Sequence, residues 1–318
     1  MDVVFLGTPE FAVASLDALV TSARHRVVGV VTQPDRPKGR GHRLAPPPVK
    51  VAALAHRLPL HQTADVNAPG SLEWIRARRP RAGVVVAFGQ FLGRALRDVP
   101  ELGYVNLHAS LLPRYRGASP IHAAIRSGER ETGVSVMQVE RGVDTGPVFA
   151  REAVPIGAEE NVGELSARLA KIGAPLVVRV LDALESGSAR AEAQDEALAT
   201  HAGRIGAEER RVRWDRPAAE IHDQVRGLTP HPGAVAEFES ARGERFGVRV
   251  IRTAVAEGSP SGSSADPGTV LGIEGDGLRI RVHGATDLIV LRLVPAGARE
   301  MSGVELFRGR GREGGRFV

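Results

Sequence analysis

The chain has 318 residues, a length that fits two domains better than one. Hydrophobic residues make up 42% and charged residues 25%, the proportions of an ordinary globular protein, and no apolar run reaches the roughly 20 residues of a membrane span. The absence of cysteine excludes disulfides, thiolate metal sites and a cysteine nucleophile. The net charge of +5 comes mainly from arginine and indicates an anionic partner only where it is clustered.

Strands and helices alternate over the first 185 residues. The run DVVFLG predicts a first strand, and Thr8 and Pro9 predict the cap and first position of the helix that follows. Further strands are predicted at RVVGVVT, AGVVVAF and GYVNLHA, and further helices at PVKVAALAHR, SLEWIRARR and LGRALRDV and from about residue 161. Continuous valine runs are typical of strands covered on both faces, so we expect a parallel sheet between helices. The first strand follows directly on Met1 without a basic leader, so we expect a cytoplasmic protein.

The composition and the spacing of apolar residues change after residue 186. The polar, mixed residues that follow predict a linker at 187–205, between a first domain at 1–186 and a second at 206–318. Beyond the helix PAAEIHDQVRGL, short apolar runs alternate with glycine-containing turns, at HPGAVAEF, FGVRVIRTAVA, GTVLGIEG, GLRIRVHGA and DLIVLRLVPAG. This spacing predicts a small β-barrel.

Three polar side chains are candidates for chemistry. Asn106 and His108 lie two apart near the end of GYVNLHA, so they share one face of a strand at its carboxyl end, where open parallel sheets bind ligands. Asp144 lies in a glycine-bounded turn of GVSVMQVERGVDTGPVF, between two further strands. Together they would form an acid–base site, with a carboxylate to orient or charge an imidazole and an amide to donate to an oxyanion. The simpler interpretation, that Asn106 and His108 only bond loop backbone, stays open from these two residues alone.

A basic cluster lies in TQPDRPKGRGHRL, with four cations at Arg36, Lys38, Arg40 and Arg43. Asp35 is the acidic residue of this segment. From the residues alone, a solvated loop and a contact with RNA phosphates are both open. The turn from Gly7 to Glu10, after the first predicted strand, lacks G-x-G-x-x-G, which argues against an NAD-linked oxidoreductase, and the chain has no G-x-S-x-G motif for a serine nucleophile.

The segments NLHASLLPRYRGASPI and GVSVMQVERGVDTGPV together resemble the folate-dependent formyltransferase family. The resemblance implies an α/β fold, with a Rossmann-like formyltransferase domain built on a mostly parallel sheet and followed by a C-terminal OB-like β-barrel. The segments FLGTPEFAVASLDAL, VVTQPDRPKGRGHRLAPPPVK and PAGAREMSG are similar to the members that act on tRNA. The implied reaction transfers a formyl group from 10-formyltetrahydrofolate to the α-amine of methionyl initiator tRNA, for translation initiation, by a monomer that needs no metal.

The resemblance also assigns site residues. It implies catalytic roles for Asn106, His108 and Asp144. The folate contacts that it implies are Ser110, Leu111, Leu112, Pro113, Phe88 and Gly89. The tRNA contacts that it implies are Arg36, Lys38, Arg40 and Arg43. The family usually has Tyr before the glycine at Phe88 and Pro at Gly93, so the folate pocket is expected to differ in its lining.

Two rival functions share part of this evidence. An amino-sugar or glycinamide formyltransferase would use the same three catalytic residues but would not need the basic segment or the barrel. A noncatalytic RNA-binding protein on the same scaffold would be expected to lack part of the triad, and all three residues are present. A metal site at His108, His122 and Asp144 is disfavoured because His122 lies on a separate predicted helix.

Overall fold

The computed structural model describes residues 1–38, 43–257, 265–311 and 315–318, which group into two compact units. Unit 1 consists of Met1–Pro120, Glu131–Pro155 and Ser166–Gly203; unit 2 consists of Ile121–Arg130, Ile156–Leu165 and Arg204–Val318. The domain boundaries at 186 and 206 stay predictions. Within the described ranges, no helix combines the length and the apolar character that crossing a bilayer requires.

The described residues before Gly203 form seventeen helices and strands. They are β1 (Asp2–Gly7), α1 (Glu10–Thr21), β2 (Arg26–Thr32), β3 (Arg36–Lys38), β4 (Arg43–Ala45), α2 (Pro48–Ala55), β5 (Leu60–Gln62), α3 (Pro69–Arg76), β6 (Ala82–Val86), α4 (Arg94–Arg97), β7 (Tyr104–His108), β8 (Arg116–Gly117), α5 (Pro120–Arg126), β9 (Glu131–Gln138), β10 (Val148–Pro155), α6 (Val162–Glu185) and β11 (His201–Ala202). A short 3-10 turn lies at Glu196–Leu198.

Unit 1 is built on a seven-stranded sheet with the order β10-β9-β7-β6-β1-β2-β5. The strands from β5 to β7 are parallel, while β9 runs antiparallel to β7 and β10 antiparallel to β9. The four central residues of β1, at positions 3–6, are completely buried, which is the double-sided burial that continuous apolar strands predict. The predicted mostly parallel α/β architecture is therefore confirmed.

Helix α1 starts one residue later than predicted. Pro9 occupies the cap and Glu10 begins the helix, and the Thr8 hydroxyl makes no capping bond. It donates instead to the carbonyl oxygen of Phe88 at 3.1 Å, because the loop after β6 brings that acceptor close to the end of β1. The prediction of a Thr8 cap is wrong, and the hydroxyl ties two strand ends together.

Unit 2 contains the predicted antiparallel domain. Its remaining elements are α7 (Ala207–Arg210), α8 (Ala218–Leu228), β12 (Ala234–Ser240), β13 (Arg245–Val255), β14 (Val270–Glu274), β15 (Gly277–Ile280), β16 (Leu288–Pro295), β17 (Met301–Ser302), α9 (Gly303–Leu306) and β18 (Gly315–Phe317). The strand order is β14-β15-β16-β13-β12-β18, with β17 on β16. A bridge between Thr269 and Arg316 joins the two ends of this order, so the sheet closes on itself around a core that includes Phe238 and Phe317.

Candidate active site

Strand β7 delivers two of the predicted residues to the carboxyl edge of the unit 1 sheet. Asn106 is half-buried and pairs with Met137 of β9, and His108 is 6% exposed and pairs with Ser135. Side chains two apart on a strand lie on the same face, so the amide and the imidazole project together. Helix α6 can pack closely on this strand because its Gly173 leaves room for Leu107, which a Cβ would meet at 2.6 Å.

The turn between β9 and β10 brings Asp144 to the same place. Glycine is required in this turn because a Cβ at Gly146 would clash with the carbonyl oxygen of Gln138. Asp144 has a left-handed backbone with φ of 54°. Its Oδ2 accepts a hydrogen bond from the amide of Gly117 at 2.8 Å and lies 3.6 Å from His108 Nδ1, and its Oδ1 accepts one from Asn106 Nδ2 at 3.5 Å. The amide, the imidazole and the carboxylate thus form one cluster.

The second ring nitrogen of His108 also faces an oxygen. Nε2 lies 2.9 Å from the carbonyl oxygen of Tyr115, a residue whose own backbone is left-handed with φ of 57°. The carbonyl oxygen lies within hydrogen-bond distance of Nε2, whereas the carboxylate of Asp144 lies just beyond that distance from Nδ1, at 3.6 Å. Both ring nitrogens of His108 therefore face an oxygen, one neutral and one anionic.

The segment 110–113 forms a buried loop beside His108. The completely buried Ser110 hydroxyl donates to the carbonyl oxygen of Arg114 at 2.6 Å. Ser135 of β9 fixes the loop from the other side, since its hydroxyl donates to the carbonyl oxygen of Ser110 at 2.7 Å and accepts from the amide of Leu112 at 3.1 Å. The hydroxyl of Ser110 is already engaged and Leu112 is 2% exposed, so the half-buried Leu111 and Pro113 are the residues of this loop that keep accessible surface. Sequence reasoning did not identify Ser135.

The segment 87–89 forms the next loop along the same edge. The ring of Phe88 is 2% exposed and belongs to the core cluster that contains Tyr104. Ala87 and Gly89 have positive φ angles of 45° and 79°, which turns the backbone sharply after β6. Phe88 therefore contributes packing, while Ala87 and Gly89 are exposed.

Two of the predicted cationic residues, Lys38 and Arg43, lie in the paired strands of a β-hairpin. Strand β3 pairs antiparallel with β4, so that Lys38 and Arg43 are backbone partners. Arg36 is exposed, and its Nη2 donates to Gln33 Oε1 at 3.2 Å. Arg40 lies outside the described residues.

The acidic residue of this segment is already neutralised. Lys50 Nζ lies 2.8 Å from Asp35 Oδ2, and the side-chain amide of Gln62 donates to Asp35 Oδ1 at 2.7 Å. The hydrogen bond from Lys50 lowers the pKa of Asp35 below its ordinary value. Asp35 therefore anchors the segment before β3 to α2 and β5 through Lys50 and Gln62.

The structure also assigns partners to Asp144 that the sequence did not indicate. Gln194 donates to the carbonyl oxygens of Asp144 and Gly146, and Arg116 donates to Gln194. Arg116 lies in the segment NLHASLLPRYRGASPI, and its charge within that segment could have marked it as a candidate site residue. Gln194 carried no signal, because it lies 50 residues from its partner in a polar segment without periodicity.

Comparison with known proteins gives a consistent family assignment. The family model described as formyl transferase matches residues 1–181, and the model described as formyl transferase, C-terminal domain, matches residues 204–311. Proteins named methionyl-tRNA formyltransferase are 41% identical in Trichlorobacter lovleyi, over 96% of this chain and 93% of theirs, and 45% identical in Halorhodospira halophila, over 97% and 96%. The Moorella thermoacetica protein of that name is 48% identical, over 79% and 80%.

Solved structures of lower identity share the fold. The sugar 3N-formyl transferase WlaRD, crystallised with dTDP and 5-N-formyl-THF, superposes with a TM-score of 0.64 at 15% identity, over 94% of this chain and 99% of that chain. HypX from Aquifex aeolicus, in complex with tetrahydrofolic acid, gives a TM-score of 0.62 at 15% identity, over 96% of this chain and 46% of that chain. At this identity the likeness establishes the architecture of the chain and leaves its substrate to other evidence.

Proposed function

The chain belongs to the methionyl-tRNA formyltransferase family, and on that premise we propose that it transfers the formyl group of 10-formyltetrahydrofolate to the α-amine of methionyl initiator tRNA. The observation that carries the proposal is the convergence of Asn106, His108 and Asp144 at the carboxyl edge of the sheet. These are a donor, an acid–base group and an anion, which are the groups that acyl transfer to an amine requires.

Asn106 would act on the formyl oxygen. Attack of the amine on the formyl carbon drives negative charge onto that oxygen, and a preorganised amide donor stabilises the charge as it develops. The Nδ2 of Asn106 makes one contact with Asp144, at the long distance of 3.5 Å, so that little is lost when the amide turns to the substrate. Removing one such donor typically costs 10²–10³ in rate.

His108 and Asp144 would carry out the proton transfers of the reaction. With Nε2 donating to Tyr115, a proton on Nδ1 points toward Asp144 across 3.6 Å, a separation longer than a hydrogen bond. That proton can be shared with the formyl oxygen or passed to the departing folate nitrogen, while the carboxylate stabilises the positive ring. The attacking amine loses its own proton to His108 once the ring has given its proton to the folate nitrogen, so that the protons balance and no covalent enzyme intermediate is required.

The two loops beside the cluster would hold the folate. The loop at 110–113 follows the strand that carries Asn106 and His108, and the exposed Gly89 lies in the loop after the neighbouring strand β6; the half-buried Leu111 and Pro113 would supply apolar surface. A ring system with hydrogen-bonding edges fits a site of this kind, where backbone groups orient the ligand and side chains cover its faces. The replacement of the family's usual Tyr by Phe88 removes a hydroxyl from a ring that packs in the core.

The hairpin β3–β4 would bind the tRNA. Arginine pairs with phosphate through two parallel hydrogen bonds, and the sequence from 36 to 43 carries Arg36, Lys38, Arg40 and Arg43, while Asp35 is neutralised by Lys50. Neutralising Arg40 and Arg43 should weaken tRNA affinity and lower the slope of log affinity against log salt by about 1 per lost phosphate contact. Arg26→Gln, which removes a paired surface charge elsewhere in unit 1, is the matched control. An unchanged slope in the double variant would refute this role.

The function is tested by supplying the purified protein with 10-formyltetrahydrofolate and one acceptor at a time. We expect formylation of charged initiator tRNA, much slower formylation of charged elongator tRNA, and none of a free amino sugar. Rapid formylation of the amino sugar would favour the sugar-directed alternative. Binding of tRNA without formylation of any acceptor would favour the noncatalytic one.

A further inference from the structure

A polar segment at 192–203, here named the strap, lies along the candidate active site within unit 1. At its start, Glu192 and Val148 exchange backbone hydrogen bonds of 2.8 and 2.9 Å, beside the turn that carries Asp144. Near its end, strand β11 pairs with β8, at the loop that carries Tyr115. The strap therefore contacts the partners of His108 from both sides.

Gln194 is the residue of the strap that reaches Asp144. Its Nε2 donates to the carbonyl oxygen of Asp144 at 2.8 Å and to that of Gly146 at 2.7 Å. Its Oε1 accepts from Arg116, at 3.1 Å from Nε and 2.8 Å from Nη2. Both amide protons and both lone pairs are used, and the two sides are chemically distinct, so the side chain has one orientation.

Arg116 fixes the other end of this connection. It is 2% exposed, and besides Gln194 it binds Glu196 through two hydrogen bonds of 2.7 and 2.8 Å. The hydrogen bond to Arg116 lowers the pKa of Glu196 below its ordinary value, so that the pair stays ionised at neutral pH. The residue after Arg116 is Gly117, whose amide donates to the carboxylate of Asp144. Gly117 and Gln194 thus bind Asp144 at its carboxylate and at its carbonyl oxygen, and Arg116 is next to one of them in sequence and hydrogen-bonded to the other.

The strap also acts on the opposite side of His108. The hydroxyl of Thr200 accepts from the amide of Tyr115 at 2.8 Å, and the carbonyl oxygen of Thr200 accepts from the amide of Arg116 at 2.9 Å. Tyr115 supplies the carbonyl oxygen that faces His108 Nε2. Both oxygens that flank the imidazole ring therefore belong to residues that the strap holds.

We propose that Gln194 is a positioning residue for the formyl transfer, and that it acts by holding the 144–146 turn so that the Asp144 carboxylate faces His108 and Asn106. The proposal rests on the proposed function, since it assigns Gln194 a part in the same reaction. Displacing a catalytic group by about 1 Å can cost 10²-fold in rate, so a residue that fixes the turn affects turnover without touching a substrate.

The substitution Gln194→Glu separates positioning from general stability. Glutamate keeps the size of the side chain and both acceptor contacts with Arg116. It replaces the amide nitrogen, which carries both donated protons, with one oxygen that faces the carbonyl oxygens of Asp144 and Gly146, so the contact with the turn becomes repulsive. We expect kcat to fall about 10- to 100-fold, while KM for the folate and for the tRNA stays within twofold of the wild type.

The chain offers a matched control in unit 2. Gln224 also donates its side-chain amide to two backbone carbonyl oxygens, those of Glu209 at 3.0 Å and Arg211 at 2.8 Å. Gln224→Glu therefore makes the same chemical change away from Asp144, and we expect it to leave kcat unchanged. Glu196→Gln, which weakens the hold on Arg116 but keeps both donors of Gln194, should lower kcat by less than threefold.

The experiment measures kcat, both KM values and the thermal midpoint for the wild type and the three variants. A wild-type kcat in Gln194→Glu, or an equal loss in Gln224→Glu, would overturn the positioning role while the function stands. A wild-type protein that does not formylate methionyl-tRNA would overturn the function itself. If Gln194→Glu fails to fold, Gln194→Met replaces it, because methionine is uncharged and lacks both donors. We expect the same loss of kcat in Gln194→Met, and a wild-type kcat in that variant would overturn the positioning role.

Discussion

Asp144→Asn is the most direct test of how the candidate site works. Asparagine has nearly the shape of aspartate, and its oxygen can still accept the hydrogen bond from Gly117, so the turn is expected to stay in place. The negative charge beside His108 is lost. At the observed separation of 3.6 Å, two unit charges interact by about 5 kcal/mol if the effective dielectric constant is about 20. This value is an upper limit, because the asparagine amide keeps a dipole near the ring.

The expected loss follows from that energy. Since each 1.36 kcal/mol is a factor of ten in rate, the upper limit corresponds to a loss of a few thousandfold, and we expect kcat to fall about 10²- to 10³-fold. Single-turnover formylation of methionyl-tRNA measures the chemical step without product release. The control is a double-mutant cycle with His108→Gln: if Asp144 acts through His108, then Asp144→Asn costs less than tenfold in the His108→Gln background. Full additivity, or a kcat within threefold of the wild type in Asp144→Asn, would refute the reasoning.

Two further substitutions test the structure around the site and in the barrel. Gly117→Ala should destabilise unit 1 by about 1–3 kcal/mol and lower kcat, because the φ of Gly117 is 117° and the new Cβ would lie 2.6 Å from the carbonyl oxygen of Ala202. The control in thermal unfolding is Gly203→Ala, since a Cβ at Gly203 would meet open space. Asp287→Asn should cost about 3 kcal/mol in the free energy of unfolding at pH 7, because this completely buried carboxylate binds two arginines of the RIRV segment, at 2.9 Å from Arg279 Nε. Burial alone would raise the pKa of Asp287, but the two arginines outweigh burial and the pKa is lowered. The stability of the wild type relative to Asp287→Asn is therefore fully present above the unfolded-state pKa near 4 and declines as the pH falls further. Equal urea midpoints for the wild type and Asp287→Asn at pH 7 would contradict this account.

The sequence predicted what local patterns encode. The strands β1 and β7 follow from valine-rich runs, and the side chains at Asn106 and His108 share a face because the strand period is two. The hairpin β3–β4 did not follow, since RPK and RLA have no strand-like alternation and pair through their backbones. Ser135 was not identified either, because its role depends on register: it lies opposite His108 only once β7 and β9 have paired.

The strap could not be predicted either, because its contacts join residues that are far apart in sequence. These contacts explain how two residues beside His108 keep an unfavourable backbone conformation. Tyr115 and Asp144, whose atoms flank His108, both have left-handed backbones, a conformation that costs a non-glycine residue about 1–2 kcal/mol. Such strain persists only where neighbouring groups fix it. Thr200 binds the amide of Tyr115, and Gln194 binds the carbonyl of Asp144, so each strained residue has a partner in the strap. The polar composition that resembles a linker therefore supplies hydrogen bonds to backbone that neither strand nor helix could satisfy, 50 or more residues away in sequence.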